Sequence, residues 1–256
     1  MNNFDVNFKN YTSSLIHSEG KTINIVKTYF SGHQFKRIAD VGCGTGHFGN
    51  SLIGLTQEIV FIDPSLNMLK QVQNLTIDRS DKEIIFINQS AETLNKDEHG
   101  TFDLIITRMA LHHFKNAAQA ILQMCDCLND NGYLIISDLY ASPNKAIYDI
   151  NHKIELLHDS SHLKNYTDRE IIDIVNGSAL RFNVVKKEVI LEKEDGISIE
   201  YWCSITNARK EDVNEINNVL NSLSGEVLEE LGYFISRTNE IRNRVKTNLL
   251  IFKLSN

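Results

Sequence analysis

The amino-acid sequence predicts an α/β chain organised around a mostly parallel sheet. Three observations carry that expectation: short runs rich in Ile and Val alternate with helix-period segments through the first half, a glycine triplet follows the first run, and an acidic residue closes the second. The runs fall at residues 37–41, 59–62, 84–87, 102–107 and 133–137, and their near-continuous apolar character suits strands covered on both faces. Between them, residues 48–55, 65–74 and 117–128 read as helices; in the last, Ala117, Ala120, Ile121, Met124 and Leu128 recur along one face. Strands alternating with helices of this length form βαβ units, and ligands of such sheets lie at the carboxyl ends of the strands.

Two segments exceed what a minimal α/β sheet requires. Residues 10–30 read as one or two helices before the first strand, and residues 144–158 form a helix after the fifth, with Ile147, Ile150, Ile154 and Leu157 on its apolar face. Both stand where they can cover the strand ends, so they are expected to act as a lid. Thr167-Asp168-Arg169-Glu170 has the capping-box pattern and starts a helix expected to end near Gly177. Runs at 182–191 and 247–254, separated by a helical region at 212–223, are expected to complete a seven-stranded sheet with helices on both faces. No repeat or linker divides the chain, so residues 1–256 are expected to form a single domain. Within it, 1–33 make an N-terminal helical cap and 34–140 a cofactor-binding core. Residues 141–256 supply the lid helix, a substrate-side insert and the C-terminal strands.

Composition narrows the function. A chain of 256 residues that is 42% hydrophobic with only two prolines can bury a full core. No segment approaches the roughly 18 apolar residues of a membrane helix, and the start lacks a signal-peptide pattern, so a cytoplasmic protein away from membranes is expected. The four cysteines, Cys43, Cys125, Cys127 and Cys203, have no CxxC spacing and read as reduced, packed thiols. A net charge of −7 argues against nucleic-acid binding; Arg242-Asn243-Arg244-Val245-Lys246 is the one short basic run. Oligomeric state is left open.

Chemistry concentrates at the glycine triplet. Gly42, Gly44 and Gly46 let the backbone turn sharply and approach a ligand, with Asp40 just ahead. The spacing is G-x-G-x-G; the dinucleotide pattern would need its third glycine at His47, which weakens an NAD-dependent dehydrogenase reading. Asp63 lies about 20 residues on, where a carboxylate can accept both hydrogen bonds of a ribose diol. It can equally serve the helix that starts at Pro64-Ser65, and the two roles are compatible.

Four motifs in order resemble those of the class I S-adenosylmethionine-dependent methyltransferases, in particular the small-molecule group that includes ubiquinone and menaquinone methylases. They are Asp40-Val41-Gly42-Cys43-Gly44-Thr45-Gly46, then Phe61-Ile62-Asp63-Pro64-Ser65-Leu66-Asn67-Met68-Leu69, then Phe102-Asp103-Leu104-Ile105-Ile106 with Ala110-Leu111-His112-His113-Phe114, and finally Leu128-Asn129-Asp130-Asn131-Gly132-Tyr133-Leu134. The resemblance implies a Rossmann-like class I methyltransferase fold and S-adenosyl-L-methionine as cofactor, with S-adenosyl-L-homocysteine as product. It implies that Asp40 and the loop backbone of Gly42, Cys43, Gly44 and Gly46 hold the methionine part. Asp63 and Pro64 would meet the ribose, and Met68 the adenine. In Asn88-Gln89-Ser90-Ala91-Glu92, Ser90 stands where relatives often carry an Asp before an Ala-Glu pair, and Ser90, Ala91 and Glu92 are expected around the adenine amine. Tyr11 and His17, in the pattern Tyr11-x5-His17-x2-Gly20, resemble the part of the subfamily's N-terminal cap that closes over the cofactor.

Methyl transfer from a sulfonium needs alignment, exclusion of water and, for a protonated nucleophile, a base. Arg108, His112 and His113 follow the fourth strand, where catalytic groups must stand, and Arg108 is also a candidate cofactor contact. Either His suits a base near neutrality, whereas the alternative for one of the pair is packing under the next helix. His158-Asp159-Ser160-Ser161-His162 resembles an Arg-Asp-Pro-Ser-His stretch of these enzymes, with His158 and Ser160 at the Arg and Pro positions. Its His-x3-His spacing lacks a third ligand, and no metal is expected.

The expected function is methyl transfer to an O, N or C nucleophile of a small metabolite. Methylation of RNA or protein is disfavoured by the charge and by Thr107-Arg108-Met109-Ala110 where an Asn/Asp-Pro-Pro-Tyr motif would stand. A cofactor-bound accessory protein without methyl transfer is the alternative from outside the enzymes.

Overall fold

A computed structural model describes residues 10–12 and 14–255 of the chain. Helices α1 (Leu15–Ser18) and α2 (Lys21–Tyr29) precede strand β1 (Phe35–Val41), followed by α3 (His47–Leu52), β2 (Thr56–Ile62), α4 (Leu66–Leu75) and β3 (Glu83–Ile87). A short α5 (Lys96–His99) leads to β4 (Phe102–Arg108), α6 (Ala117–Asp126) and β5 (Leu128–Leu139). Next come α7 (Lys145–His158), α8 (Asp168–Asn176) and β6 (Phe182–Leu191). An insert of β7 (Ile197–Ser198), α9 (Ile199–Thr206), α10 (Lys210–Asn221), α11 (Gly225–Glu230), β8 (Tyr233–Ile235) and β9 (Ile241–Asn243) precedes the last strand, β10 (Lys246–Leu254).

The main sheet has seven strands in the order β3-β2-β1-β4-β5-β10-β6; its first five are parallel, and β10 runs antiparallel to both its neighbours. Chain order reverses direction at β1, whose partners are β2 and β4, so the crevice beyond its carboxyl end is the topological switch point where such sheets bind ligands. Register levels the strand ends there: Val41 pairs with Ile62, Ile62 with Ile87, and Arg108 with Ser137.

Both faces of the sheet are covered, as the apolar runs require. Ala39, Val60, Ile105 and Leu134 pack with Ile121 and Met124 of α6 on one side, while Ile38, Phe61, Ile106 and Ile135 pack with Val26, Phe48 and Leu52 on the other. Thr167 caps α8 as expected: its Oγ1 accepts from Glu170 N at 3.2 Å, and its own N–H donates to Glu170 Oε2 at 2.9 Å.

Two expectations need correction. The helix read at 117–128 ends at Asp126, because Leu128 opens β5 beside Phe102; Asn131, at φ +62°, carries the chain through an irregular register to Tyr133. The insert is richer than one helix. It adds α9, α11 and a three-stranded antiparallel sheet β7-β9-β8, all packed with Ile154 of α7 around Trp202, Ile216, Leu220 and Tyr233. Strands of two or three residues are too short to show alternation, which hid them.

A buried ionic tie fastens the N-terminal helices to the sheet. Arg108 Nη2 donates to the Ile16 carbonyl at 2.8 Å and lies 3.6 Å from Glu192 Oε1. Glu192 also accepts from Thr22 N at 3.1 Å, Thr22 Oγ1 at 2.7 Å and Thr247 Oγ1 at 3.2 Å. A Cβ on Gly20 would meet the Arg108 guanidinium and the Glu192 carboxylate, so a larger residue here would have to displace this tie. Glu192→Ala removes the carboxylate paired with the buried Arg108 guanidinium and leaves two donors of Thr22 without their acceptor. It is expected to cost about 3–5 kcal/mol in denaturant unfolding, and limited proteolysis near Gly20 should accelerate.

Candidate active site

The glycine loop is held by its own backbone and by two buried carboxylates. Gly42 N and Cys43 N both donate to the Ile62 carbonyl, at 2.9 and 3.1 Å. Gly44 N donates to Asp63 Oδ2 at 2.9 Å, Ser65 N to Asp63 Oδ1 at 2.8 Å, and Gly49 N to Asp40 Oδ2 at 2.8 Å. Asp63 therefore serves the start of α4, as the second reading of this residue held. Ser65 completes the cap by accepting from Met68 N at 3.2 Å. The glycines differ in purpose. Gly44, at φ +52°, would meet nothing within 4 Å of an added Cβ, so its face is open; Gly46, at φ +81°, would drive a Cβ to 2.7 Å from Val72 Cγ1 and is required for packing of α3 on α4.

Beyond this loop lies a cavity of about 530 Å³. Asp40, Gly42, Cys43, Gly44, Asp63 and Pro64 line it from β1 and β2. Met68, Ser90, Ala91, Glu92, Arg108 and His113 line it from the following elements, and Tyr11 closes it from the cap. The structure thus brings together the expected cofactor residues apart from Gly46, which is not in the lining; the His17 side chain lies outside the described residues. Glu92 also accepts from Asn116 N through Oε1 at 3.2 Å, which ties the turn after β3 to the start of α6. Burial, with Asp63 and Asp40 close by, pushes the Cys43 thiol well up, so it is no ready nucleophile. Burial also raises Asp40 to about 7, against the lowering effect of the Gly49 N–H.

The histidine pair is split by its surroundings. His112 Nδ1 lies 2.5 Å from Asp138 Oδ1, and the same carboxylate accepts from Ala110 N at 2.9 Å, Leu111 N at 2.7 Å and Leu139 N at 2.8 Å. An acceptor at Nδ1 fixes the neutral ring with its proton there and leaves Nε2 as the basic atom. Burial works to lower the His112 pKa, but the Asp138 charge and hydrogen bond, joined by Glu155 and Asp159, bring it above the usual value. Burial and the neighbouring His112 charge push His113 well below that value, and its Nδ1 meets the Ser161 carbonyl at 3.1 Å.

His112 lines a second cavity, of about 50 Å³, which shares Tyr11, Met109 and His113 with the first. Met109 stands at this junction with φ +50°, a strained conformation for a residue with a side chain. Glu155, His158 and Asp159 from the end of α7, His162, and Trp202 and Thr206 from α9 form the rest of its polar and aromatic wall. Tyr11 Oη donates to Asp159 Oδ2 at 3.1 Å, joining cap and wall. The sequence reading missed Asp138, Glu155, Asp159 and Trp202 as site residues. Asp138 had a signal, an acidic residue at the carboxyl end of a buried strand; Glu155 and Trp202 reach the site only through the packing of α7 against the insert.

Comparison with known proteins follows the same lines. A family described as a methyltransferase domain matches residues 21–181, more than half of the chain. The chain belongs to the methyltransferase-domain family. This methyltransferase is 22% identical to the uncharacterized methyltransferase YcgJ of Bacillus subtilis over 184 residues, 72% of each chain. The crystal structure of YcgJ superposes with a TM-score of 0.78 at 19% identity, covering 91% of this chain and 97% of that one. A ubiquinone biosynthesis O-methyltransferase of Rickettsia typhi is 24% identical over 214 residues, 78% of this chain and 83% of the relative. The fold is the Rossmann-like class I methyltransferase fold, and the cofactor of the family is S-adenosyl-L-methionine. The residues present fit that molecule: the face of Gly44 is open, and the Asp63 carboxylate, which accepts from Gly44 N and Ser65 N, stands in the cavity lining as an acceptor of the kind a ribose diol needs. Among the described residues no helix is long and apolar enough to cross a membrane.

Asp40 gives a pH signature. Its pKa in the fold, about 7, exceeds the ordinary 3.8, so between about pH 4 and 7 the folded chain keeps a proton that the unfolded chain has released. Its contribution to stability therefore falls as pH rises through that window. Asp40→Asn, which keeps an acceptor for Gly49 N, should raise the melting temperature of the cofactor-free protein more at pH 8 than at pH 5.

Proposed function

We propose that this methyltransferase methylates an O, N or C nucleophile of a small molecule, with His112 as the base. The observation that carries the reading is the His112–Asp138 pair: Nε2 of His112 has no hydrogen-bond partner among the described residues, and His112 lines a cavity that shares Tyr11, Met109 and His113 with the larger one. Asp63 would hold the ribose hydroxyls, the loop around Gly44 and Asp40 the methionine part, and Met68 with Ser90 the adenine. When bound, the cofactor supplies an electrophilic methyl group on a sulfonium.

The chain does the rest. Asp138 orients the His112 ring and stabilises its protonated form, as a carboxylate does for a catalytic imidazole. Tyr11 and the cap, tied down through Arg108 and Glu192, close the site against water. Arg108 acts here as a positioning residue, and His113, held neutral, as a wall between the cavities. The size of the second cavity and the net charge of −7 favour a small acceptor over RNA or a protein. The Rickettsia typhi relative is named for an oxygen acceptor, which keeps hydroxyl compounds in the first screen.

Calorimetry with S-adenosylhomocysteine and NAD separates the cofactors. S-adenosylhomocysteine should bind, NAD should not, and Asp63→Ala should weaken the former at least about tenfold, in line with the loss of a charged hydrogen-bond acceptor. Turnover is read as S-adenosylhomocysteine formed with a panel of phenols, amines and carboxylic acids. With an acceptor so found, His112→Ala should lower kcat by about 10²–10⁴. Wild-type kcat/KM should rise with pH as His112 loses its proton. Asp138→Asn removes the charge that raises this pKa, so the rising limb should move to lower pH while the plateau drops. An unmoved limb would count against His112 as the base.

A further inference from the structure

We propose that the methyl acceptor is a small primary or secondary amine, captured as its ammonium ion in the second cavity by Glu155, His162 and His112. This rests on the methyltransferase reading above and names its substrate class.

The first support is charge. Asp138, Glu155 and Asp159 bring three carboxylates to or directly behind the cavity wall, and among the described residues lining it there is no Lys or Arg. Among the described lining residues the basic groups are imidazoles. Burial holds His113 well down and His162 at about 4, so both are neutral at ordinary pH. Glu155 thus meets no Lys or Arg among these lining residues, and the cavity becomes more negative when His112 gives up its proton. A carboxylate or phosphate acceptor would add charge of the same sign among buried side chains, whereas an ammonium offsets it.

The second support is hydrogen-bond demand. His162 is 2% exposed, lines the cavity, and has no partner at either ring nitrogen among the described residues. A buried neutral imidazole in that state lacks a hydrogen bond worth about 1–3 kcal/mol. Its ring centroid is 5.5 Å from that of His112, whose Nε2 is likewise without a partner. Glu155, 7% exposed, has the His158 Nδ1 contact at 3.6 Å, longer than a hydrogen bond. An ammonium carries up to three N–H donors, matching one acceptor on each of Glu155, His162 and His112. Trp202, stacked on His158 at 3.8 Å, supplies an aromatic wall of the kind that favours cations.

The proton balance closes. Neutral His112 takes one proton from the ammonium through Nε2; the freed nitrogen lone pair forms the N–C bond as the sulfonium S–C bond breaks, with that electron pair left on sulfur. His112 returns its proton to solvent when product leaves. The deprotonated ring that does this is also the state in which the cavity is most negative, so capture of the cation and readiness of the base go together.

Trp202 is the sole tryptophan and lines the cavity, so its fluorescence reports occupancy directly. Protein saturated with S-adenosylhomocysteine is titrated with propylamine, 1-propanol and propionate, which share a shape and differ in charge. Propylamine should give a saturable change, 1-propanol should bind at least tenfold more weakly, and propionate should give none. Glu155→Gln should weaken propylamine at least tenfold while S-adenosylhomocysteine affinity is unchanged; if that variant does not fold, the wild-type series decides alone. Propanol or propionate binding as tightly as propylamine, or no response to propylamine, overturns the proposal. Retained S-adenosylhomocysteine binding in that case leaves the cofactor reading standing, whereas its loss would overturn that reading instead.

Discussion

The site depends on one recurrent constraint: a buried carboxylate at the carboxyl end of a strand that accepts backbone N–H groups from the loop beyond. Asp40 does this for Gly49, Asp63 for Gly44 and Ser65, and Asp138 for Ala110, Leu111 and Leu139. Parallel strands end with their carbonyls spent on neighbours, so the turning chain offers donors that need acceptors. A carboxylate takes several, each charge-assisted bond contributing about 1.5–3 kcal/mol. The consequence is a set of loop walls pinned around the crevice at β1.

That rigidity is met from the other side by the cap. Arg108 ends β4 and could have faced the ligand alone, yet its guanidinium reaches the Ile16 carbonyl and Glu192, so the same residue that lines the cofactor cavity also anchors the cover over it. Tyr11 repeats the arrangement through Asp159, on the wall of the second cavity. The first cavity, the cap and the second cavity are therefore joined by two side chains.

The parallel sheet and its ligand crevice were legible because their signals are local: near-continuous apolar strands, a glycine triplet and Asp63 at the end of the second run. Even there the triplet was read too uniformly, since Gly44 faces open space while Gly46 answers to Val72 on a neighbouring helix, a contact no spacing rule contains. The acceptor wall was not legible. Residues 144–158 show an apolar face at Ile147, Ile150, Ile154 and Leu157 and nothing that singles out Glu155, yet the insert packs around α7 and buries that carboxylate as well. Trp202 sits on a helix whose apolar periodicity serves a second core, built from strands too short to announce themselves.

Why adjacent histidines should take different parts follows from the turn that carries them. A 3₁₀ turn over Leu111–His113 leaves the rings 3.9 Å apart between centroids, close enough that protonation of one opposes protonation of the other. The tie is broken by their partners: Asp138 meets His112 with a full charge, while His113 meets the carbonyl of Ser161, which offers only a dipole. The proton available to the pair is thereby assigned to His112, and His113 stays neutral as part of the wall shared with the cofactor cavity. Two titratable groups driven apart by environment are the arrangement that general acid–base chemistry requires. A single carboxylate at the end of β5 thus shapes the loop, selects the tautomer and decides which ring is the more readily protonated.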